Sequence, residues 1–153
     1  QNAAIVQASP DIVEACIPNA APLHSHGRSM KTTKEDIIGL LKAVELYTDL
    51  DHDAVQRGWR DEAAAVVARL EGLAGVRVSV GEAGYSEAIP VARVDIDGAV
   101  AGRSAAEVAA ELAADDPSIR VTHDRDWLTV NPQFLQAGES EMVAARLRQA
   151  LGG

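Results

Sequence analysis

Aromatic side chains, cysteines and long apolar runs are all scarce in this chain of 153 residues. Aromatics make up 3% of the sequence, so few side chains could form a platform for stacking nucleic-acid bases. Cys16 is the single cysteine, which excludes a disulfide within the chain. No apolar run reaches the roughly 20 residues that span a bilayer, and there is no signal-peptide pattern. These absences predict a cytoplasmic protein that does not act at a membrane.

Positive charge is also in short supply. Lys and Arg number 14 against 23 Asp and Glu, which leaves a net charge of −9. Because nucleic acids and anionic membranes both bind basic faces, we expect neither as a partner. The sequence also lacks the glycine patterns of a nucleophile elbow, a P-loop and a dinucleotide-binding turn.

The apolar 47% of the chain is mostly Ala, Val and Leu, enough for an aliphatic core. The chain begins at Gln1-Asn2 without Met and enters an apolar run, Ala3–Val6, that is typical of a buried strand. Since a native start usually frays before its first core element, we expect the sequence to be the C-terminal piece of a longer protein.

The rest of the pattern predicts an α+β fold. Ser9-Pro10 begins a brief helix, and apolar spacing then predicts two long helices that form a hairpin, around Ile37–Val44 and Val55–Leu70. From Val76 the period changes to two, and the order becomes strand, strand, helix, strand, strand, helix. The strands are predicted at residues 76–80, 89–96, 119–121 and 128–130, with a loop at 81–87, a turn at Asp97-Gly98 and helices after Ser104 and Gly138. We therefore expect an N-terminal strand and helical hairpin, followed by a small antiparallel sheet with helices on one face. The predicted segments are 1–31, 32–75 and 76–153.

The most informative stretch for function is the polar loop at residues 24–36. Arg28 and Lys31 lie three apart beside the flexible Gly27, so both charges can reach one anion. Thr32 and Glu35 have the spacing of a capping box, and a helix N-terminus also attracts anions. The alternative is a solvated loop whose cations merely offset an acidic protein. His24 and His26 lack further ligands at metal-binding spacing, so no metal is expected.

Residues 27–31 and 34–41 resemble the segment after the active-site lysine region of the selenocysteine synthase-like enzymes. These fold type I pyridoxal phosphate enzymes include L-seryl-tRNA selenium transferase and D-glucosaminate-6-phosphate ammonia-lyase. Residues 128–132, with Leu135, Gly138-Glu139 and Val143, are similar to the family's ending, and Gln1–Ala4 looks like the strand after the cofactor lysine. The resemblance spans nearly the whole chain.

This resemblance implies the C-terminal domain of a lyase or transferase with an aminotransferase-like fold. The cofactor lysine and the large domain that binds pyridoxal phosphate would lie upstream, so this chain alone is not expected to catalyse. Arg28 and Lys31 would hold the phosphate or carboxylate of a small anionic amino acid or amino-sugar phosphate, with His26 as a further candidate. Lys at position 31, where the transferases have Arg, favours the lyase members over selenium chemistry.

Two alternatives remain open. The chain could be a stand-alone ligand-binding or dimerisation module without catalytic activity, or one subunit of a split enzyme. In each case we expect self-association or docking on a large pyridoxal phosphate domain, because the helical hairpin leaves an apolar face to cover.

Overall fold

The computed structural model describes residues 4–84 and 86–152. The chain forms two compact units, Gln1–Leu50 and Asp51–Gly153. In the first unit, α1 (Pro10–Cys16) begins after Ser9 with Pro10 in its first turn, as predicted, and α2 spans Lys34–Thr48. Two short 3-10 turns, Ile17–Asn19 and Arg28–Met30, lie between these helices. The helices and 3-10 turns therefore make up the regular secondary structure described in the first unit.

The predicted N-terminal strand is wrong in the described part of the chain. Residues 4–7 have no regular secondary structure, and Ile5 and Val6 are exposed; Ala3 lies outside the described residues. A strand needs a paired neighbour to be stable. The first unit, from residue 4 onwards, holds no strand that could pair with this segment.

The N-cap of α2 is one residue later than predicted. Thr33, not Thr32, precedes the helix, and its hydroxyl oxygen accepts the Asp36 N–H at 3.1 Å. Thr33 has the extended backbone of an N-cap residue, with φ −83° and ψ 163°. The pair Thr32 and Glu35 therefore does not form the predicted capping box.

The second unit contains the longest helix and all the strands of the described chain. Its elements are α3 (His52–Leu70), β1 (Val76–Ala83), β2 (Ser86–Ile96), α4 (Gly98–Ala101), α5 (Ala105–Ala114), β3 (Thr122–His123), β4 (Trp127–Val130) and α6 (Glu139–Gly152). Asp51 caps α3 by accepting the Ala54 N–H at 2.9 Å. Ser104 and Glu107 form the predicted capping box of α5.

The four strands form one antiparallel sheet in the order β1-β2-β4-β3. Val78, Val94 and Leu128 lie side by side across it, and their face packs on α3, α5 and α6. The neighbouring row, Arg77, Asp95 and Trp127, lies on the opposite face. The predicted α+β class, with helices on one face of a small antiparallel sheet, is confirmed.

Strand ends differ from the predicted ones in two places. β1 continues to Ala83 and β2 begins at Ser86, so the loop predicted at 81–87 is mostly strand. The strand predicted at 119–121 is wrong: these residues are not strand, and β3 consists of Thr122 and His123 alone. The Ile119 N–H instead donates to the Leu112 carbonyl near the end of α5. A short helix, α4, follows Asp97 where only a turn was predicted.

Every residue that the structure describes as buried belongs to the second unit. Its core joins the inner face of the sheet to side chains of α3, α5 and α6, including Leu70, Val94, Leu112, Leu128 and Leu147. Throughout residues 4–84 and 86–152, no helix is both long and apolar enough to cross a membrane. The cytoplasmic location stays a prediction.

Candidate functional site

Arg28 and Lys31 line the same groove in the first unit. The groove has a volume of about 670 Å³. Its remaining wall is mostly apolar and comprises Ala4, Val6, Ala20, Ala21, Pro22, Met30, Thr32 and Ile37. The structure therefore brings together two of the three predicted anion-binding residues, on a surface that could also contact the apolar part of a ligand.

The backbone places the two cations on one side of the loop. Residues Arg28–Met30 form a single 3-10 turn, and Lys31 follows it as the C-cap. Because a 3-10 helix has three residues per turn, positions 28 and 31 face the same way. The 3-10 turn thus explains why residues three apart in sequence, Arg28 and Lys31, line the same groove.

Hydrogen bonds tie this loop back to the end of α1. The Gly27 N–H donates to the Asn19 carbonyl at 2.7 Å, and the Ser25 hydroxyl donates to the Asn19 side chain at 2.9 Å. The Asn19 amide in turn donates to the Ala15 carbonyl at 3.0 Å. Gly27 approaches so closely that an added Cβ would overlap the Asn19 carbonyl oxygen. Asn19 thus holds the turn that carries Arg28.

Neither cation has a partner within the part of the chain that the structure describes. Within residues 4–84 and 86–152, the side chains of Arg28 and Lys31 make no hydrogen bond and no ion pair. Arg28 is half-buried and Lys31 is exposed. Two neighbouring positive charges without a carboxylate favour an anion, because its binding relieves their mutual repulsion.

The N-terminus of α2 does not add to this attraction. Its first turn carries Glu35 and Asp36, and the Thr33 hydroxyl oxygen already accepts the Asp36 N–H. Hydrogen bonds from the Glu35 backbone N–H and the Thr33 hydroxyl lower the pKa of the Glu35 carboxyl, so the carboxylate stays charged there. Anion binding in this groove therefore depends on the Arg28 and Lys31 side chains.

His26 is exposed and does not line the groove. His24 is exposed as well, and no group of three metal-ligating side chains exists in the part of the chain that the structure describes. That Met30 and Ile37 line the groove could be predicted from the sequence, because both are close to Lys31 along the chain. The contributions of Ala4 and Val6 could not, because more than twenty residues separate them from Arg28.

A second cavity, of about 510 Å³, lies in the second unit between β3, β4 and α6. It is lined in part by Val130, Asn131, Leu135, Glu139 and Val143, which belong to the C-terminal motif of the sequence. Val130 and Val143 are also core residues. This motif therefore has a packing role in the small sheet, whichever ligand the chain binds.

No protein-family model matches the chain. In sequence it is 32% identical, over 147 residues, to a 5'-C-glycyluridine monooxygenase-decarboxylase of a Streptomyces species; the match covers 92% of this chain and 35% of that protein. In structure it is similar to D-glucosaminate-6-phosphate ammonia-lyase, with a TM-score of 0.59, 22% identity and coverage of 84% of this chain and 34% of that one.

The second of these comparisons confirms the resemblance inferred from the sequence, since the ammonia-lyase is one of the enzymes that the motifs indicated. At 22% identity it shows a shared fold. The chain spans about a third of the length of either protein.

Proposed function

We propose that this chain is the substrate-binding part of a pyridoxal phosphate-dependent enzyme of the lyase type, and that it works with a larger domain carrying the cofactor. The observation that supports this most directly is the groove in which Arg28 and Lys31 lie together, with no side-chain partner among the described residues. The likeness in fold to an ammonia-lyase, and in sequence to a decarboxylase, is consistent with it.

The chain's own lysines do not fit the role of a Schiff-base lysine. Lys42 pairs with Glu45 at 3.0 Å on the exposed surface of α2, and Lys34 is exposed at the first position of that helix. Lys31, the third lysine, is exposed beside Arg28. A Schiff-base lysine is instead commonly desolvated in an apolar pocket, which lowers its pKa and leaves the amine neutral and nucleophilic. The proposal therefore assigns covalent attachment of the cofactor to the larger domain.

The proposed substrate is a small amino compound with an anionic group. The names of the two similar proteins share this chemistry: glucosaminate-6-phosphate carries a carboxylate and a phosphate, and a decarboxylase acts on a carboxylate. When bound, pyridoxal phosphate supplies an electron sink. Arg28 would bind the anion through its planar fork, while Lys31 adds a second charge whose ammonium can rotate to meet it.

The role of the chain in such an enzyme is orientation. Holding the anionic group in the groove fixes one end of the substrate and limits where the reacting carbon can lie. A substrate that covers the apolar wall, which includes Met30 and Ile37, excludes water from around the two cations. The lower local dielectric then strengthens the ion pairs between these cations and the substrate's anionic group.

Replacement of Arg28 by Ala tests this function. In the enzyme assembled with its larger domain, we expect Arg28→Ala to raise KM about 10-fold or more, because one charge-assisted hydrogen bond contributes about 1.5–3 kcal/mol. The melting temperature should barely change, since a surface substitution alters stability by less than about 0.5 kcal/mol.

The matched control is Arg60→Ala, which removes an exposed arginine of α3 in the second unit. Its kinetics should equal those of the parent. Unchanged kinetics for Arg28→Ala as well would exclude an anion-binding role for this residue.

A non-catalytic module for ligand binding or dimerisation is the second candidate. It is favoured by the self-contained core of the second unit. One measurement distinguishes the two functions. Adding pyridoxal phosphate to a polypeptide extended upstream should produce Schiff-base absorbance only if the enzyme proposal is right.

A further inference from the structure

The wall of the groove around Arg28 and Lys31 is almost entirely apolar. Among the described residues that line it, Thr32 is the one polar side chain besides the two cations. The apolar wall residues are Ala4, Val6, Ala20, Ala21, Pro22, Met30 and Ile37. A ligand in this groove therefore meets hydrocarbon wherever it extends away from the two cations.

The backbone of this wall has few hydrogen-bonding groups left for a ligand. The N–H groups of Ala20, Met30 and Ile37 already donate to nearby carbonyls, at 3.2, 3.0 and 3.2 Å. The Ala20 carbonyl accepts the Leu23 N–H at 3.1 Å, and Pro22 has no N–H. The backbone therefore does little to make up for the missing polar side chains.

The groove is larger than an anion alone requires. Its volume of about 670 Å³ lies within the range in which proteins bind whole small molecules, about 300–1,000 Å³. Arg28 and Lys31 account for the charged end of such a molecule. The part of the molecule next to its anionic group then lies along the apolar wall.

Hydroxyl groups suit such a wall poorly. A hydroxyl that leaves water without gaining a hydrogen-bond partner is destabilised, whereas a methylene group is stabilised by leaving water. A sugar-derived chain, such as the glucosaminate-6-phosphate in the name of the similar ammonia-lyase, carries hydroxyls on most of its carbons. The Thr32 hydroxyl is the only uncharged polar side chain that the described wall offers to them.

We propose that the substrate of this chain carries a hydrocarbon chain next to its anionic group, and that it is not a polyhydroxylated sugar derivative. Arg28 and Lys31 bind the anion, and Met30 and Ile37 contact the methylene groups beside it. This inference rests on the proposed function and narrows its substrate class to amino compounds whose anionic group ends an apolar arm.

Two probes of equal charge and equal chain length test the substrate class. n-Butyl phosphate and erythritol 4-phosphate differ only in the hydroxyls that the second carries. Inorganic phosphate is the reference for the anion alone. Nitrogen-15 NMR titrations of the full chain measure the Kd of each probe from the amide shifts of residues 27–31.

We expect n-butyl phosphate to bind at least about fivefold more tightly than inorganic phosphate, because each buried methylene contributes up to about a fourfold gain. Erythritol 4-phosphate should bind no more tightly than inorganic phosphate. Arg28→Ala should weaken binding of all three probes at least about tenfold, because it removes a charge-assisted hydrogen bond.

The variant Ile37→Gln tests the wall itself, since it puts a polar group of similar size into the groove. Its matched control is Ile38→Gln, because Ile38 is the next residue of α2, is 67% exposed and does not line the groove. Ile37→Gln should reduce the preference for n-butyl phosphate over erythritol 4-phosphate at least about threefold. Ile38→Gln should leave this preference unchanged, and circular dichroism checks that both variants keep their helices.

Erythritol 4-phosphate that binds as tightly as n-butyl phosphate would overturn the inference. So would a preference for n-butyl phosphate that survives Arg28→Ala or Ile37→Gln, or one that Ile38→Gln alters equally.

Failure of the proposed function has a different signature. If none of the three probes binds in a way that depends on Arg28, both the anion site and the inference are overturned. If the probes show the expected preference, but a polypeptide extended upstream gives no Schiff-base absorbance with pyridoxal phosphate, the ligand class stands and the cofactor chemistry is excluded.

Discussion

At the scale of single residues, the groove depends on a glycine. Gly27 lies against the Asn19 carbonyl, to which its own N–H donates at 2.7 Å, and the turn that carries Arg28 begins there. Its φ of −81° is one that any residue can adopt, so the requirement is steric. The sequence indicated backbone freedom at this position, whereas the structure shows that the lack of a side chain is what matters.

We expect Gly27→Ala to displace the loop and weaken anion binding, because its Cβ would overlap the Asn19 oxygen. Competition between inorganic phosphate and the substrate of the assembled enzyme measures the effect. The matched control is Gly39→Ala in α2, where an added Cβ meets nothing within 4 Å. That change should stabilise α2 by about 0.5–1 kcal/mol and leave phosphate competition unaltered. Equal phosphate competition in both variants would contradict the steric role of Gly27.

Arginines form a second pattern at the residue scale that the sequence did not indicate. The Arg148 guanidinium donates to the Arg69 carbonyl at 2.5 Å, near the end of α3, and Arg103 donates to the Ala150 carbonyl at 2.8 Å, near the end of α6. Cations at helix C-termini pair with unsatisfied carbonyls and with the helix dipole. The partners are more than forty residues apart in sequence, so no local pattern identifies them.

At the scale of elements, local capping chemistry made the second unit predictable. The Ser104 N–H and hydroxyl each donate to the Glu107 carboxylate at 2.8 Å. These two hydrogen bonds, the backbone one first, lower the pKa of the Glu107 carboxyl below its usual value of 4.5. A capping box is visible in four consecutive residues, and α5 begins where the sequence places it.

The same cap predicts a pH dependence. Because the pKa of Glu107 is lower in the folded than in the unfolded state, its contribution to stability is fully present above pH 4.5 and is lost as the pH falls through the lowered value. We expect the gap in melting temperature between the parent and Glu107→Gln to be largest near neutral pH and to close in acid. Ser104→Ala removes one of the two donors and also the hydroxyl oxygen that accepts the Glu107 N–H at 3.3 Å, so its gap should narrow in acid without closing. A gap that stays constant across the pH range would contradict this linkage.

At the scale of the whole molecule, the two units differ in how they can be stable. The second has a core of aliphatic side chains, and the first has no buried residue from position 4 to 50. Apolar burial is the main favourable contribution to folding, so the second unit has its own source of stability and the first does not.

We therefore expect a fragment of residues 51–153 to fold alone and unfold cooperatively, with a melting temperature close to that of the full chain. A fragment of residues 1–50 should show a gradual loss of helix on heating, as isolated helices do. Circular dichroism melts of both fragments check this. Within the core, Leu128→Ala should cost about 2–5 kcal/mol, whereas Leu41→Ala in the first unit should cost far less. Loss of cooperative unfolding in residues 51–153 would contradict an independent core.

The sequence by itself determined most helices and strands of the second unit, α4 and β3 excepted, because hydrophobic period and capping are local properties of a few neighbouring residues. It also placed Arg28 and Lys31 within reach of one anion. Only the tertiary structure decided that Ala4 and Val6 join them in one groove, and that Thr122 rather than Ile119 begins the edge strand. It also showed that residues 4–7 form no strand, and that the first unit, as far as it is described, holds none for them to pair with. These outcomes depend on contacts between residues far apart in sequence. A local pattern does not specify which distant residue covers a given apolar face or pairs with a given backbone N–H or carbonyl group.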